Sequence, residues 1–105
     1  MSNYRNRALL DLAHHVNECQ LQISGTCTGY TVEGSEPAHS NQSKHGKGGQ
    51  IKAHDNFHVA GCHACHAELD QGRRFTREEK AEFWQAGHDR TMLLYWRNGW
   101  IRVVA

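Results

Sequence analysis

The feature that most limits what this chain can fold into is its set of four cysteines. Cys19 and Cys27 are separated by seven residues, and Cys62 and Cys65 by two. The Cys62-x-x-Cys65 spacing lets one segment offer two thiolates to a tetrahedral zinc ion. Cys19 and Cys27 bracket a strand-like stretch and a turn, which can return the second thiol to the first. A site made of all four leaves no open position for water, so such a zinc is a scaffold rather than a catalyst. A staple of this kind suits a chain of 105 residues that is only 38% hydrophobic, with a mean hydropathy of -0.76. A domain this small has a thin core and gains from a metal. Two other uses of the thiols stay open: a variant site in which His58 or His63 replaces one cysteine, and buried or redox-active thiols.

Charge excludes little. Twelve Lys+Arg stand against 11 Asp+Glu, giving +1 and a pI near 7.8. That argues against a polybasic, histone-like binder and leaves nucleic-acid and protein partners both open. No apolar run approaches the roughly 20 residues of a membrane helix. The segment Met1–Arg7 lacks the apolar stretch of a secretory signal. An intracellular, cytoplasmic protein is expected, in a compartment where paired thiols more often hold metal than form disulfides.

Periodicity divides the chain. Leu9, Leu12, Ala13 and Val16 recur at helical spacing, predicting a short amphipathic helix over 5–16. Cys19, Leu21 and Ile23 alternate with Gln20, Gln22 and Ser24, predicting a half-buried strand over 19–24, then a tight turn over 25–29. From about 28 to 54 the sequence is loop-like, with a basic, glycine-rich piece over 43–50. A brief strand is expected over 57–60, and a helix over 63–70. A second helix starts at Thr76, where Thr76-Arg77-Glu78-Glu79 matches a capping box. Trp84, His88, Met92 and Tyr95 can share one face of that helix, and Gly87 is a place where it can bend. Asn98-Gly99 ends it, and 100–104 alternates like a closing strand.

Nine histidines in so short a chain make chance pairs unsurprising, and most are expected to be solvated. His14, His15, His45, His54 and His88 receive no role here, and His88 is expected to pack near Trp84. His39 and His66 differ. His66 follows Cys65 directly, so if Cys65 holds zinc at a helix start, His66 must point elsewhere. With His39 and Asp55-Asn56 upstream, the order is His, Asp/Asn, His. Such an order suits metal-assisted phosphodiester hydrolysis. One imidazole takes a proton from water near neutral pH, a second holds a divalent cation, and an amide or carboxylate orients the base.

These residues resemble a known family. His39, Asp55-Asn56 and Cys62-His63-Ala64-Cys65-His66 resemble the zinc-stapled branch of the HNH, or ββα-metal, endonucleases. More narrowly, three segments are similar to phage and prophage nucleases related to the recombination-enhancement nuclease Ref. They are Glu18-Cys19-Gln20-Leu21-Gln22-Ile23-Ser24-Gly25-Thr26-Cys27-Thr28-Gly29, Ala38-His39, and Cys62-His63-Ala64-Cys65-His66-Ala67-Glu68-Leu69-Asp70. The resemblance covers about residues 17–75. It implies an α+β fold: one HNH-like domain over 1–105, a β-hairpin and helix round a four-cysteine zinc, with flanking N- and C-terminal helices. It also implies structural Zn²⁺ on Cys19, Cys27, Cys62 and Cys65, His39 as general base, and His66 as a ligand of catalytic Mg²⁺ or Mn²⁺. Many HNH enzymes carry Asp, Glu or His just before the base, where this chain has Ala38. Asp70, one helical turn beyond His66, is the substitute. For the middle residue, Asn56 matches HNH chemistry and Asp55 the narrower family's spacing.

The substrate implied is DNA, cut with little sequence preference by a phage- or prophage-encoded enzyme acting in the host cytoplasm. A recombination protein or other factor that presents the DNA is a possible partner. Lys44, Lys47 and Lys52 in the glycine-rich loop, with Arg73, Arg74 and Arg77 beyond the first helix, can contact phosphates in a salt-sensitive way. Trp96 and Trp100 can stack on bases, although core packing or a partner interface is the commoner use of such residues. Two rivals are a non-catalytic zinc module for nucleic acid or protein, and a thiol redox protein.

Overall fold

One short antiparallel pair of strands lies between the two cysteine segments, and the helices pack round it. In the computed structural model, which describes residues 2–104, α1 (Arg7–Asp11) starts at Asn6, whose side chain accepts the Leu9 N–H at 3.0 Å. It tightens into a 3-10 turn over Leu12–His15. The helix expected over 5–16 is therefore shorter, because Val16 turns extended and its carbonyl accepts the Ser35 N–H at 2.9 Å.

Strand β1 (Glu36–His39) pairs with β2 (His58–Gly61) in the register Glu36 opposite Gly61 and His39 opposite His58. A 3-10 turn over Ser43–His45 lies in the connection. Helix α2 (His63–Gln71) follows at once, capped by the Cys62 sulfur, which accepts the Cys65 N–H at 3.4 Å. Helix α3 (Arg77–Arg97) opens on the expected capping box: Thr76 Oγ1 accepts the Glu79 N–H at 3.1 Å, and Glu79 Oε1 accepts the Thr76 N–H at 2.8 Å. It ends as expected at Asn98-Gly99, with Gly99 in the left-handed region at φ +70°.

Three expectations fail, each for a physical reason. Residues 19–24 form no strand: Cys19, Leu21 and Ile23 are buried as the alternation required, but the Gln22 and Ile23 N–H groups point at cysteine sulfurs instead of a neighbouring strand. Residues 100–104 form no closing strand either. The Trp100 N–H bonds back to the Tyr95 carbonyl at 3.0 Å, and Val103 and Val104 lie open to solvent. The stretch 28–54 is not all loop, since it contains β1. Pro37 and the polar flanks mask that strand, which a two-stranded sheet tolerates because every strand has a free edge.

The core has two parts. Leu21, Ile23, Val59, Leu69 and Trp84 close round the cysteines, while Ala13, Val16, Ala60 and Tyr95 form a second cluster. Helix α3 joins them across the sheet through buried Trp84, Gly87, Thr91 and Tyr95. Trp84 Nε1 donates to the Ala38 carbonyl at 3.1 Å, and Thr91 Oγ1 accepts the Ala60 N–H at 3.2 Å. The strands' leftover polar groups are thereby satisfied in a dry interior. Helix α3 runs as one element through Gly87. A Cβ there would lie 2.7 Å from the Gln20 carbonyl and 2.8 Å from Val59 Cγ1, so the glycine permits close approach rather than a bend. Helix propensity alone makes Gly87→Ala stabilising by about 1 kcal/mol. The packing reverses the sign, and urea unfolding should show a loss of about 1–3 kcal/mol.

Candidate functional site

The four cysteine sulfurs converge, with all of them within 4.8 Å of one another. A tetrahedron with Zn–S bonds of about 2.3 Å has edges of about 3.8 Å, so the cluster fits a zinc ion. Backbone donors surround it. Cys19 Sγ accepts N–H groups from Cys62 at 3.1 Å and Gln22 at 3.5 Å. Cys65 Sγ accepts from Ile23 at 3.4 Å, and Cys27 Sγ from Gly29 at 3.3 Å. Such bonds favour sulfur that carries negative charge. The neighbouring Cys65 thiol, with the Cys62 and Gln22 amides, pulls the Cys19 thiol down to about 4 against the opposing effect of burial. Gln22 reaches its place at φ +49°, the one non-glycine residue at positive φ among those described. Neither His58 nor His63 belongs to the cluster. His58 is buried, its Nδ1 2.7 Å from the Asp55 carbonyl and its Nε2 3.0 Å from the Tyr95 hydroxyl. His63 is exposed and faces Glu36.

His39 ends β1 and His66 lies in the first turns of α2, and both line a cleft of about 130 Å³ with Lys47, Lys52 and Asp70. The Asp55 carboxylate is 2.9 Å from His39 Nε2. A carboxylate only accepts, so Nε2 carries the proton and Nδ1 is left as the neutral ring's acceptor. Asp55 is itself held by the Asn6 N–H at 2.6 Å and by Arg5 at 3.2 Å. Burial opposes its charge, but the bonds from His39 and Asn6 outweigh that and keep its carboxyl below the usual range. Burial also dominates at His39 and holds the imidazole below its ordinary value, despite the upward pull of Asp55.

His66 has two carboxylate neighbours: Glu36 Oε1 is 2.8 Å from Nδ1, and Asp70 Oδ2 is 3.3 Å from Nε2. The Asp70 bond, reinforced by Glu36, outweighs burial and raises the imidazole's value. Asn41 donates to the other Asp70 oxygen at 2.8 Å. An imidazole nitrogen and a carboxylate facing one polar cleft suit a divalent cation that retains several open positions. Of the two middle candidates, Asp55 is brought to His39. Asn56 is exposed and offers its carbonyl to His88 Nε2 at 2.9 Å. His88 stacks on Trp84 as expected, with ring centres 4.8 Å apart.

A larger groove of about 820 Å³ adjoins the cleft, sharing Asn41, Lys47 and Asp70 with it. Lys44, Lys47 and Arg77 line it, together with Lys80, which no sequence pattern singled out. Lys52 lines the cleft instead. Arg73 is exposed but borders neither space. Arg74 is turned away from both: it donates to Thr26 Oγ1 at 2.6 Å and to the Ser24 carbonyl, and lies over the Phe75 ring. Its guanidinium therefore braces the cysteine turn. Trp96 and Trp100 border neither space and are partly exposed on the C-terminal side. Glu36 and Asn41 also escape a reading of the sequence, since neither can be placed before β1 is known to be a strand.

Removing the staple should unfold the protein. The purified chain should carry one zinc, chelation should lower its thermal midpoint, and Cys65→Ser should abolish zinc binding. His63→Ala should keep the full zinc content, measured by metal analysis.

No protein-family model and no curated protein matches this chain. Among solved structures it is similar to one described as a "putative bacteriophage protein" from Escherichia coli str. K-12. The two are 29% identical with a TM-score of 0.63, and the alignment covers 87% of this chain and 99% of that one.

Proposed function

We propose that this chain is a metal-dependent DNA endonuclease of the HNH type, phage- or prophage-encoded, acting with little sequence preference. The observation that carries the reading is the shared cleft: an Asp55-oriented His39 on one wall and a carboxylate-flanked His66 on the other. A two-stranded antiparallel sheet followed by a helix at a four-cysteine cluster supports it. So does similarity to a bacteriophage protein over nearly all of that protein's length. The basic groove adjoining the cleft has the charge to bind a phosphate backbone.

In this reading His39 Nδ1 accepts a proton from water as the water oxygen forms a bond to phosphorus and the bond to the leaving sugar oxygen breaks. Asp55 keeps the ring in the tautomer that can do this and stabilises the imidazolium that results. His66 and Asp70 hold Mg²⁺ or Mn²⁺. When bound, the ion supplies positive charge for the phosphate and the leaving oxygen. Lys44, Lys47, Arg77 and Lys80 position the strand. A recombination protein or another factor that presents the DNA is the partner this reading implies.

His39→Ala should lower divalent-dependent nicking of plasmid DNA by about 10²–10⁴-fold with zinc content intact. Undiminished cleavage would remove His39 from the mechanism. Zinc-loaded wild type that binds DNA but never cuts it, with either ion, would favour the binding-module rival. Since only the neutral ring accepts a proton and burial disfavours the charged one, the acid limb of kcat/KM should fall below pH 6.5. Asp55→Asn removes the upward pull, so the limb moves lower still while kcat drops about 10–100-fold.

Salt dependence tests the groove separately. Lys44→Ala or Arg77→Ala should each reduce the slope of log affinity against log salt by about 0.9. Arg74→Ala should leave that slope unchanged and cost about 0.5–1.5 kcal/mol of stability.

A further inference from the structure

Glu36 begins β1 directly opposite Gly61, and that register sets its side chain beside the head of α2. Its carboxylate spans two imidazoles on successive turns of that helix: Oε1 is 2.8 Å from His66 Nδ1, and Oε2 is 2.9 Å from His63 Nδ1. An ionised carboxylate offers no proton, so each Nδ1 must donate. Both ring nitrogens of His66 face a carboxylate, but Glu36 is nearer, at 2.8 Å from Nδ1 against 3.3 Å from Nε2 to Asp70. The neutral ring therefore keeps its proton on Nδ1 and turns Nε2 toward Asp70 and the cleft. An unanchored ring could turn over and present Nδ1 instead.

We infer that Glu36 is a positioning residue that selects Nε2 of His66 as the nitrogen offered to a divalent cation beside Asp70. The inference rests on the functional reading above and adds to it a residue that acts through His66. His63 plays a lesser part. By occupying the second Glu36 oxygen it limits rotation of the carboxylate, while remaining largely exposed itself. Metal-bound histidines commonly donate their other ring N–H to a carboxylate, and loss of that partner weakens metal affinity by about 10–100-fold.

The experiment is titration of the zinc-loaded protein with Mn²⁺, followed by electron paramagnetic resonance, alongside nitrogen NMR of His66 at alkaline pH without Mn²⁺. Glu36→Ala should weaken Mn²⁺ binding about 10–100-fold, Glu36→Gln should weaken it less, and His63→Ala should change it little. His39→Ala should leave Mn²⁺ affinity unchanged. Zinc content should stay at one per chain in every variant, separating positioning from general structural damage. The NMR spectrum should show a protonated Nδ1 in wild type and a mixture of tautomers in Glu36→Ala. Wild-type Mn²⁺ affinity in Glu36→Ala, or an unchanged tautomer, would overturn the inference alone. Wild-type protein that takes up no Mn²⁺ through His66 would overturn the nuclease reading itself, and this inference with it.

Discussion

The structure depends on four sulfur atoms brought together from segments more than thirty residues apart in sequence. Each of the two segments surrounds sulfur with backbone N–H groups, from Gln22, Ile23 and Gly29 on one side and Cys62 and Cys65 on the other. These donors are oriented toward negative charge, which a structural zinc would balance. The fixed geometry also sets where α2 begins, because Cys62 is both a cluster member and the helix cap. From that start the helix repeat alone decides that Cys65 turns inward and His66 toward the cleft.

The second wall of the cleft is organised differently. Asp55 is buried, yet its charge is supported by a backbone N–H and an arginine from the N-terminal segment as well as by His39. The carbonyl of the same residue faces His58 Nδ1, whose other nitrogen meets the Tyr95 hydroxyl. Burial drives the His58 imidazole down to about 4, so at neutral pH it is an uncharged link with one donor and one acceptor. Asp55 is thus anchored through its carboxylate to the N-terminus and through its backbone to α3. Removing a partner from such an enclosed network leaves a polar group unpaired, which costs more than the lost bond is worth.

What could be read from sequence divides along physical lines. The cysteine cluster, the α2 start and the Thr76 capping box are local patterns whose chemistry is nearly independent of context, and the structure contains all three. The stretch 19–24 has the burial alternation of a strand without its hydrogen bonding, because alternation reports which side chains face inward and says nothing about where N–H groups go. Strand β1 was hidden by the opposite problem. Its four residues include a proline and two ionisable side chains, and their extended form comes from pairing with β2. Glu36 followed it into obscurity, since its closeness to His63 and His66 exists only in the sheet register. Arg74 shows that charge and position do not reveal what a side chain does: its neighbours Thr26 and Ser24 are about fifty positions away in sequence.

A metal that holds a scaffold and one that performs chemistry make opposite demands, and under the proposed reading adjacent residues of α2 would serve the two. Cys65 is fully buried, with sulfur and amide partners that exclude water. The next residue, His66, is part-exposed and flanked by the carboxylates of Glu36 and Asp70 beside a polar cleft. Thiolates favour zinc, whereas a carboxylate with an imidazole and open positions admits a harder ion that keeps its water and can take phosphate oxygen. Adjacent residues on a helix point about 100° apart, so Cys65 and His66 cannot share a ligand sphere. Under the proposed reading, that angular offset would let the cysteine cluster position His66 at the cleft without sharing it.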